Sequence, residues 1–285
     1  MDDGLFPKVK QPYLVAPFEF TPADVLLRPS SIKEIRTGQA RMGKGSGVWK
    51  PSPGRQLPHT LHIGEKMVGL LLLSSCVLNL KERDQYLQLP TDPSERGTAL
   101  RQYMDLAVAI GAQTISYYWN IGKLIALLAP TLVDEFQTKY RDELLGVTTT
   151  SLWGKSSQYN RIYKFLGYTG GHGVMHIPLA ERTRMKEWVK RHAPEYYTSL
   201  KEARRGSMDI INVYISQSGD KTWSTFHGNK RGIYYHPAVP TEERSNVIQQ
   251  WYERWGLPRW QRMKDEPSPY PDGTTWHKEQ LTPEG

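Results

Sequence analysis

Ser156, Tyr159, Asn160 and Tyr163 fall within eight residues of one another, and helical spacing brings all four to one side. Two kinds of hydroxyl and an amide, so grouped, can bind a base edge, hold a leaving group or donate a proton. The competing reading is a capping serine followed by packed aromatics. Upstream, Asn120-Ile121-Gly122-Lys123 precedes an apolar run. If Lys123 opens a helix, free amide N–H groups and the helix dipole face this loop, an anion site suited to a pyrophosphate. An ordinary strand-to-helix turn explains the same residues. Between the two groups lies Val147-Thr148-Thr149-Thr150-Ser151. In a strand, Thr149 and Ser151 share one face and Thr148 and Thr150 the other. Such hydroxyls line a cleft or fill a half-buried sheet.

Other candidates carry less. His172 and His176 sit among Gly170, Gly171 and Gly173, which argue against a helix. In a strand they stand about 13 Å apart, too far for one metal ion, so no metal site is expected. Gly43-Lys44-Gly45-Ser46-Gly47 lacks the Gly-Lys-Ser/Thr ending of a phosphate loop and reads as a flexible basic loop. Arg182 and Lys190, with Lys230 and Arg231, interleave with Tyr196, Tyr197, Trp223 and Tyr234. Basic groups among aromatics suit phosphate contact with base stacking; a solvated helix face explains the first two equally well. Asp84 and Asp105 are further carboxylates to which the sequence assigns no role as base. Cys76 follows an apolar run and reads as a buried thiol rather than a nucleophile.

The elements that must position these groups follow from periodicity. Val68–Leu80 is β-rich, with Lys81-Glu82-Arg83-Asp84 as a charged edge. Ala107-Val108-Ala109-Ile110 before Gly111 reads as a buried strand. Leu124, Leu128, Leu132, Phe136 and Tyr140 recur every four residues and predict a helix that Pro130 kinks or splits. Leu144–Thr150 reads as a strand. Ser156–Phe165 is expected as a short helix stopped by Gly167. Glu181–His192 and Pro194–Arg205 follow as helices, then strands at Ile210–Ile215 and Thr222–Phe226, a turn at His227–Gly232, strand Ile233–His236 and helix Glu242–Trp255.

The 285 residues suffice for one large domain with tails or two small ones. Hydrophobic content of 38% with 20 Pro and 24 Gly points to a core diluted by irregular segments. A net charge of +8 favours an anionic partner such as nucleic acid or a phosphorylated cofactor. One cysteine excludes an internal disulfide and a Cys-rich metal site. The start lacks the apolar core of a signal peptide, and no stretch approaches the ~20 apolar residues of a membrane span. A cytoplasmic setting is expected.

Val147–Ser151 followed by Ser156-Ser157-Gln158-Tyr159-Asn160, with Arg83-Asp84-Gln85-Tyr86 and His227–Gly232, resembles the family known as domain of unknown function 4338, the Druantia anti-phage system protein A-like proteins. The resemblance covers roughly residues 68–236, although the Ile-Gly-Trp that follows in the family after Tyr86 is absent. It implies a phage-defence setting, with other defence or phage proteins as partners. A second resemblance is to the GCN5-related acyltransferase fold, in which a Tyr stands four residues before a Gly-aromatic pair, as do Tyr163, Gly167 and Tyr168. It implies that Tyr163 protonates the departing thiolate of coenzyme A. The loop that grips acyl-coenzyme A is reduced here to Gly122, a feature similar to that of Mom-type proteins that modify adenine in phage DNA.

Together these readings predict an α/β fold with a mixed central sheet and a basic α+β C-terminal extension. Residues 1–60 would form an irregular basic segment, 61–180 an acyltransferase-like core, 181–262 the extension with a β-hairpin, and 263–285 a tail. The expected activity is modification of a DNA base. Asn120, Gly122, Lys123, Thr149 and Ser151 would hold an acyl-coenzyme A or related donor. Ser156, Tyr159, Asn160 and Tyr163 would be catalytic, and Arg182, Lys190, Lys230 and Arg231 would meet DNA phosphates. A non-catalytic nucleic-acid-binding or assembly protein is the alternative.

Overall fold

The computed structural model describes residues 17–42, 54–151, 157–174, 179–203, 207–220 and 226–266. In chain order the main elements are β1 (Val25–Pro29), α1 (Ile32–Met42), β2 (Gln56–Ile63), β3 (Lys66–Ser75), α2 (Lys81–Tyr86), α3 (Pro93–Ala99) and β4 (Tyr103–Gly111). Then come α4 (Gln113–Trp119), α5 (Ile121–Leu128), α6 (Val133–Tyr140), β5 (Gly146–Ser151), β6 (Lys164–Val174), α7 (Leu179–His192), α8 (Pro194–Glu202) and α9 (Ser207–Gln217). β7 (Phe226–Pro237), α10 (Arg244–Trp251) and α11 (Leu257–Met263) complete the order. Two compact units result. The larger comprises residues 1–151, 155–167 and 232–285, and the smaller 152–154 and 168–231.

The sheet has seven strands in the order β1-β2-β3-β4-β5-β7-β6, of which β1 to β5, the start of β6 and the end of β7 belong to the larger unit. β1–β2, β2–β3, β3–β4 and β5–β7 pair antiparallel, and β4 and β5 run parallel. The expected mixed sheet is therefore present. Leu70, Leu71, Leu72 and Leu73 of β3 are all fully buried, which explains a continuous apolar run in place of alternation. Gly64, at φ +57, makes the tight β2–β3 turn between the paired Ile63 and Lys66.

Between β3 and β4 the register slips, from Leu72 opposite Val108 to Leu73 opposite Leu106. The extra residue, Ala107, is a bulge that changes which β4 side chains face which side. As a result Asp105 pairs with Ser74 on β3 and Thr148 on β5, and all three share a face.

The predicted kinked helix is α5, a short 3-10 turn Ala129–Thr131 holding Pro130, and α6. Ile121, Leu124, Ile125 and Leu128 of α5 are fully buried. A second apolar centre joins distant parts of the sequence. Trp119 stacks on Trp260 with centroids 5.0 Å apart and lies 4.1 Å from Phe20. Its indole N–H donates to the Phe18 carbonyl at 3.0 Å, and that of Trp260 donates to Glu19 at 2.9 Å. The smaller unit has its own core, in which Met185, Val189 and Ala193 bury with Ile210, Ile211 and Tyr214.

Several local expectations are corrected. Residues 157–163 form turns rather than a helix, with Arg161 at φ +68, and Gly167 lies inside β6 rather than ending a helix. Residues 210–215 are helical, within α9, so there is no hairpin strand there. Residues 227–232 belong to β7 and not to a turn. Lys81–Asp84 opens α2 rather than forming an exposed edge, and Arg83 is fully buried. Helix 242–255 is split: α10 passes through a wider π turn, Tyr252–Gly256, into α11. Strand 222–226 lies largely outside the described residues.

Trp119→Ala should lower the unfolding free energy by about 3–5 kcal/mol in urea titration. Tyr196→Ala, at a side chain 56% exposed, should change it by less than about 0.5 kcal/mol.

Candidate functional site

The parallel ladder between β4 and β5 is short. It pairs Tyr103 with Gly146, Met104 with Val147 and Asp105 with Thr148, and stops there, although β4 continues to Gly111 and β5 to Ser151. Main-chain groups beyond that point lose their ladder partners and need others. Side chains supply them. The Thr149 hydroxyl donates to the Leu106 carbonyl at 3.0 Å, and the Gln158 amide to the Ala109 carbonyl at 3.2 Å.

Gln158 is held in place from two sides. Gly122 faces its amide oxygen so closely that a Cβ there would lie 2.2 Å away. The Lys123 ammonium donates to the carbonyls of Gln158 at 2.9 Å and Asn160 at 2.7 Å. Lys123 is only 7% exposed. Burial, then the charges of Arg161 and Arg254, push its pKa down to about 8. Its donors thus serve the 157–163 turn.

Tyr159, Tyr163 and Tyr234 pack on this same side of the sheet, with ring centroids 5.5 Å apart for Tyr159–Tyr163 and Tyr159–Tyr234. The Tyr163 hydroxyl donates to the Ala126 carbonyl at 2.8 Å, and that of Tyr234 to the Asn160 side-chain oxygen at 3.0 Å. Burial raises both the Tyr159 and Tyr163 pKa values, the latter well above the ordinary tyrosine range.

The structure therefore brings together Gly122, Lys123, Thr149, Tyr159, Asn160 and Tyr163. Ser156 lies outside the described residues. Asn120, at φ +56, forms the left-handed joint between α4 and α5. Ser151 is buried, opposite Gly232 of β7. Arg182, Lys190, Lys230 and Arg231 belong to the smaller unit, with Lys190 and Lys230 exposed. Among the described residues no group of three His, Cys, Asp or Glu side chains could hold a metal ion. None of their helices is long and apolar enough to cross a membrane.

The opposite face of the sheet carries a second polar group. Asp105, Thr148 and Tyr235 are register partners on β4, β5 and β7. Thr148 lies 3.4 Å from the Asp105 carboxylate and 3.6 Å from the Cys76 sulfur. Burial drives the Asp105 pKa up to about 6, against the opposing pull of Arg83 and the Thr148 hydroxyl. Burial of the sulfur and the Asp105 charge push the Cys76 thiol up to about 12, so it stays protonated, although the residue as a whole is half-buried. Arg83 donates to Asp84 at 2.6 and 2.8 Å. Tyr103, Tyr235 and Tyr86 continue the group as a partly exposed row. The signal for Tyr235 is its place beside Tyr234: adjacent strand residues face opposite sides, so one is buried and the other open. The part played by Gln158 has no such signal.

These features define a mixed α/β protein whose mostly antiparallel sheet opens at one parallel pair. The family model described as Druantia protein DruA matches residues 45–246, and the chain belongs to that family. It is similar to Druantia protein DruA of Escherichia coli (strain UMEA 4076-1), with 34% identity over 146 residues. The match covers 44% of this chain and 35% of that protein, about a third of the relative's length. No solved structure matches the chain.

Two outcomes follow. Gln158→Leu leaves the Ala109 carbonyl without its donor and should cost about 1–3 kcal/mol in chemical denaturation. Asp105 has a folded pKa raised to about 6 from 3.8, so its ionisation opposes folding, and the stability it allows at low pH is lost as pH rises through 6. Asp105→Asn should therefore gain on the unsubstituted protein between about pH 4 and pH 6, with a constant difference above, as read from paired thermal melts.

Proposed function

We propose that this chain acts on nucleic acid as a component of an anti-phage defence system, working with other proteins of that system. The family supports the setting. The observation that carries the nucleic-acid reading is the distribution of charge. The smaller unit holds eleven Lys and Arg against six Asp and Glu, most of the chain's net +8. Lys190, Arg191, Lys201 and Lys230 are exposed there. Arg184 is committed elsewhere: it bonds Glu181 at 2.8 Å and the Tyr214 hydroxyl at 3.0 Å. Arg182, Lys190, Lys230 and Arg231 remain the proposed phosphate contacts.

A second reading, base modification on an acyltransferase-type core, is supported by the β4–β5 pair. Parallel strands that part leave a crevice beyond their paired ends, a usual place for a ligand. In this reading Asn120, Gly122, Lys123, Thr149 and Ser151 hold an acyl donor such as acyl-coenzyme A. Ser156, Tyr159, Asn160 and Tyr163 serve the chemistry. Gln158 and Lys123 occupy the crevice, so donor binding requires the 157–163 turn to shift and release Lys123. The more economical reading is nucleic-acid engagement without transfer, in which the tyrosines are structural.

Binding to a short DNA duplex should weaken steeply with salt. Arg182→Gln and Lys190→Gln should each reduce the slope of log K against log salt by about 1. An unchanged slope in both would sink the phosphate assignment. Mass spectrometry of nucleosides from cells expressing the chain with its partner genes separates the readings. A new nucleoside lost in Tyr163→Phe supports transfer, and unmodified DNA supports engagement alone.

A further inference from the structure

The tyrosine row on the open face of the sheet is not used by either reading. Tyr235 lies across Gly146, where a Cβ would meet its ring at 2.5 Å, so the glycine lets the ring lie flat on β5. Its centroid is 5.5 Å from that of Tyr86 and 6.5 Å from that of Tyr103. Tyr86 is 41% exposed, and the Lys164 ammonium stands 4.3 Å from its ring centroid. Asp105 follows Tyr103 by two residues on the same face. Its Oδ1 faces the Thr148 hydroxyl, while Oδ2 has no protein donor among the described residues. All of these residues belong to the larger unit.

Resting on the nucleic-acid reading, we propose that the Tyr86–Tyr235–Tyr103 row and Asp105 form a binding site for one unpaired nucleobase, with guanine preferred. Tyrosine rings offer π faces on which any base stacks. A carboxylate accepts hydrogen bonds, and guanine alone among the DNA bases presents adjacent N–H donors, at N1 and N2, on its Watson–Crick edge. Lys164 at the outer end suits the phosphate beside that base. A base within a duplex cannot present this edge, so the ligand is a single strand or an extruded nucleotide. Lys164 at the rim and the charge of Arg83, which acts on Asp105, disfavour a cationic ligand.

The probe is a short single strand of abasic sugar-phosphates carrying one central guanine. It is compared by fluorescence anisotropy with the same strand carrying hypoxanthine, which lacks the N2 amine, and with the fully abasic strand. The full chain should bind the guanine strand about tenfold more tightly than the abasic one, with hypoxanthine between. Tyr86→Ala should remove most of the advantage of a base. Asp105→Asn should remove the difference between guanine and hypoxanthine while leaving the melting curve cooperative. Equal binding of guanine and abasic strands overturns the base site but leaves phosphate engagement standing. A guanine preference that survives both substitutions also overturns it. Failure to bind any strand overturns the nucleic-acid reading as well.

Discussion

The constraint on which the larger unit depends is the early end of the β4–β5 ladder. Three residues pair, and beyond them β4 keeps β3 on one side but has no strand on its β5 side. Buried carbonyls cannot be left without donors, so Thr149 and Gln158 take the place of a neighbouring strand. The turn that carries Gln158 must then be fixed, and Lys123 does this through two of its carbonyls. α5 must present that lysine and must also accept the Tyr163 hydroxyl at Ala126. The aromatic packing of Tyr159, Tyr163 and Tyr234 follows from the same anchoring. The polar network on this side of the sheet thus arises from one gap in the β4–β5 ladder.

The two faces of the sheet differ in kind because of one inserted residue. The bulge at Ala107 lets Leu106 turn inward while Asp105 and Tyr103 share the other side. One face is closed by α5 and the 157–163 turn. The other keeps a carboxylate and tyrosines with partial access to solvent. On the second, burial raises the Asp105 pKa to about 6. On the first, the Tyr163 hydroxyl already donates to the Ala126 carbonyl, and burial raises its pKa well above the ordinary tyrosine range.

Legibility of the sequence followed whether local pattern and tertiary partner agreed. α5 and β5 were readable because a four-residue apolar repeat and a threonine run each match their buried surroundings. Residues 210–215 misled: a β-branched run suggests a strand, but Ile210, Ile211 and Tyr214 bury together against α7 at helical spacing, and packing overrides propensity. Ser156–Phe165 misled in the other direction. Its spacing suited a helix, yet Arg161 takes a left-handed conformation and Lys164 enters the sheet. Of the residues expected at the cleft, Gly122, Lys123, Thr149, Tyr159, Asn160 and Tyr163 lie near one another in the fold. The role of Gln158 was invisible, because it depends on where a ladder between distant strands stops. Arg83 read as surface charge because its carboxylate partner is its own neighbour in sequence, a pairing that permits full burial.

Most of the smaller unit is an insertion in the chain, residues 168–231, that begins within β6 and ends within β7, strands adjacent in the sheet. During synthesis β5 emerges early, but its partner, Gly232–Pro237, comes only after the whole insertion. At about 5–20 residues per second, β5 waits for seconds with one edge open. An open edge rich in threonine and valine is a template for strand addition by another chain. The nascent chain thus passes through a period in which strand mispairing competes with folding.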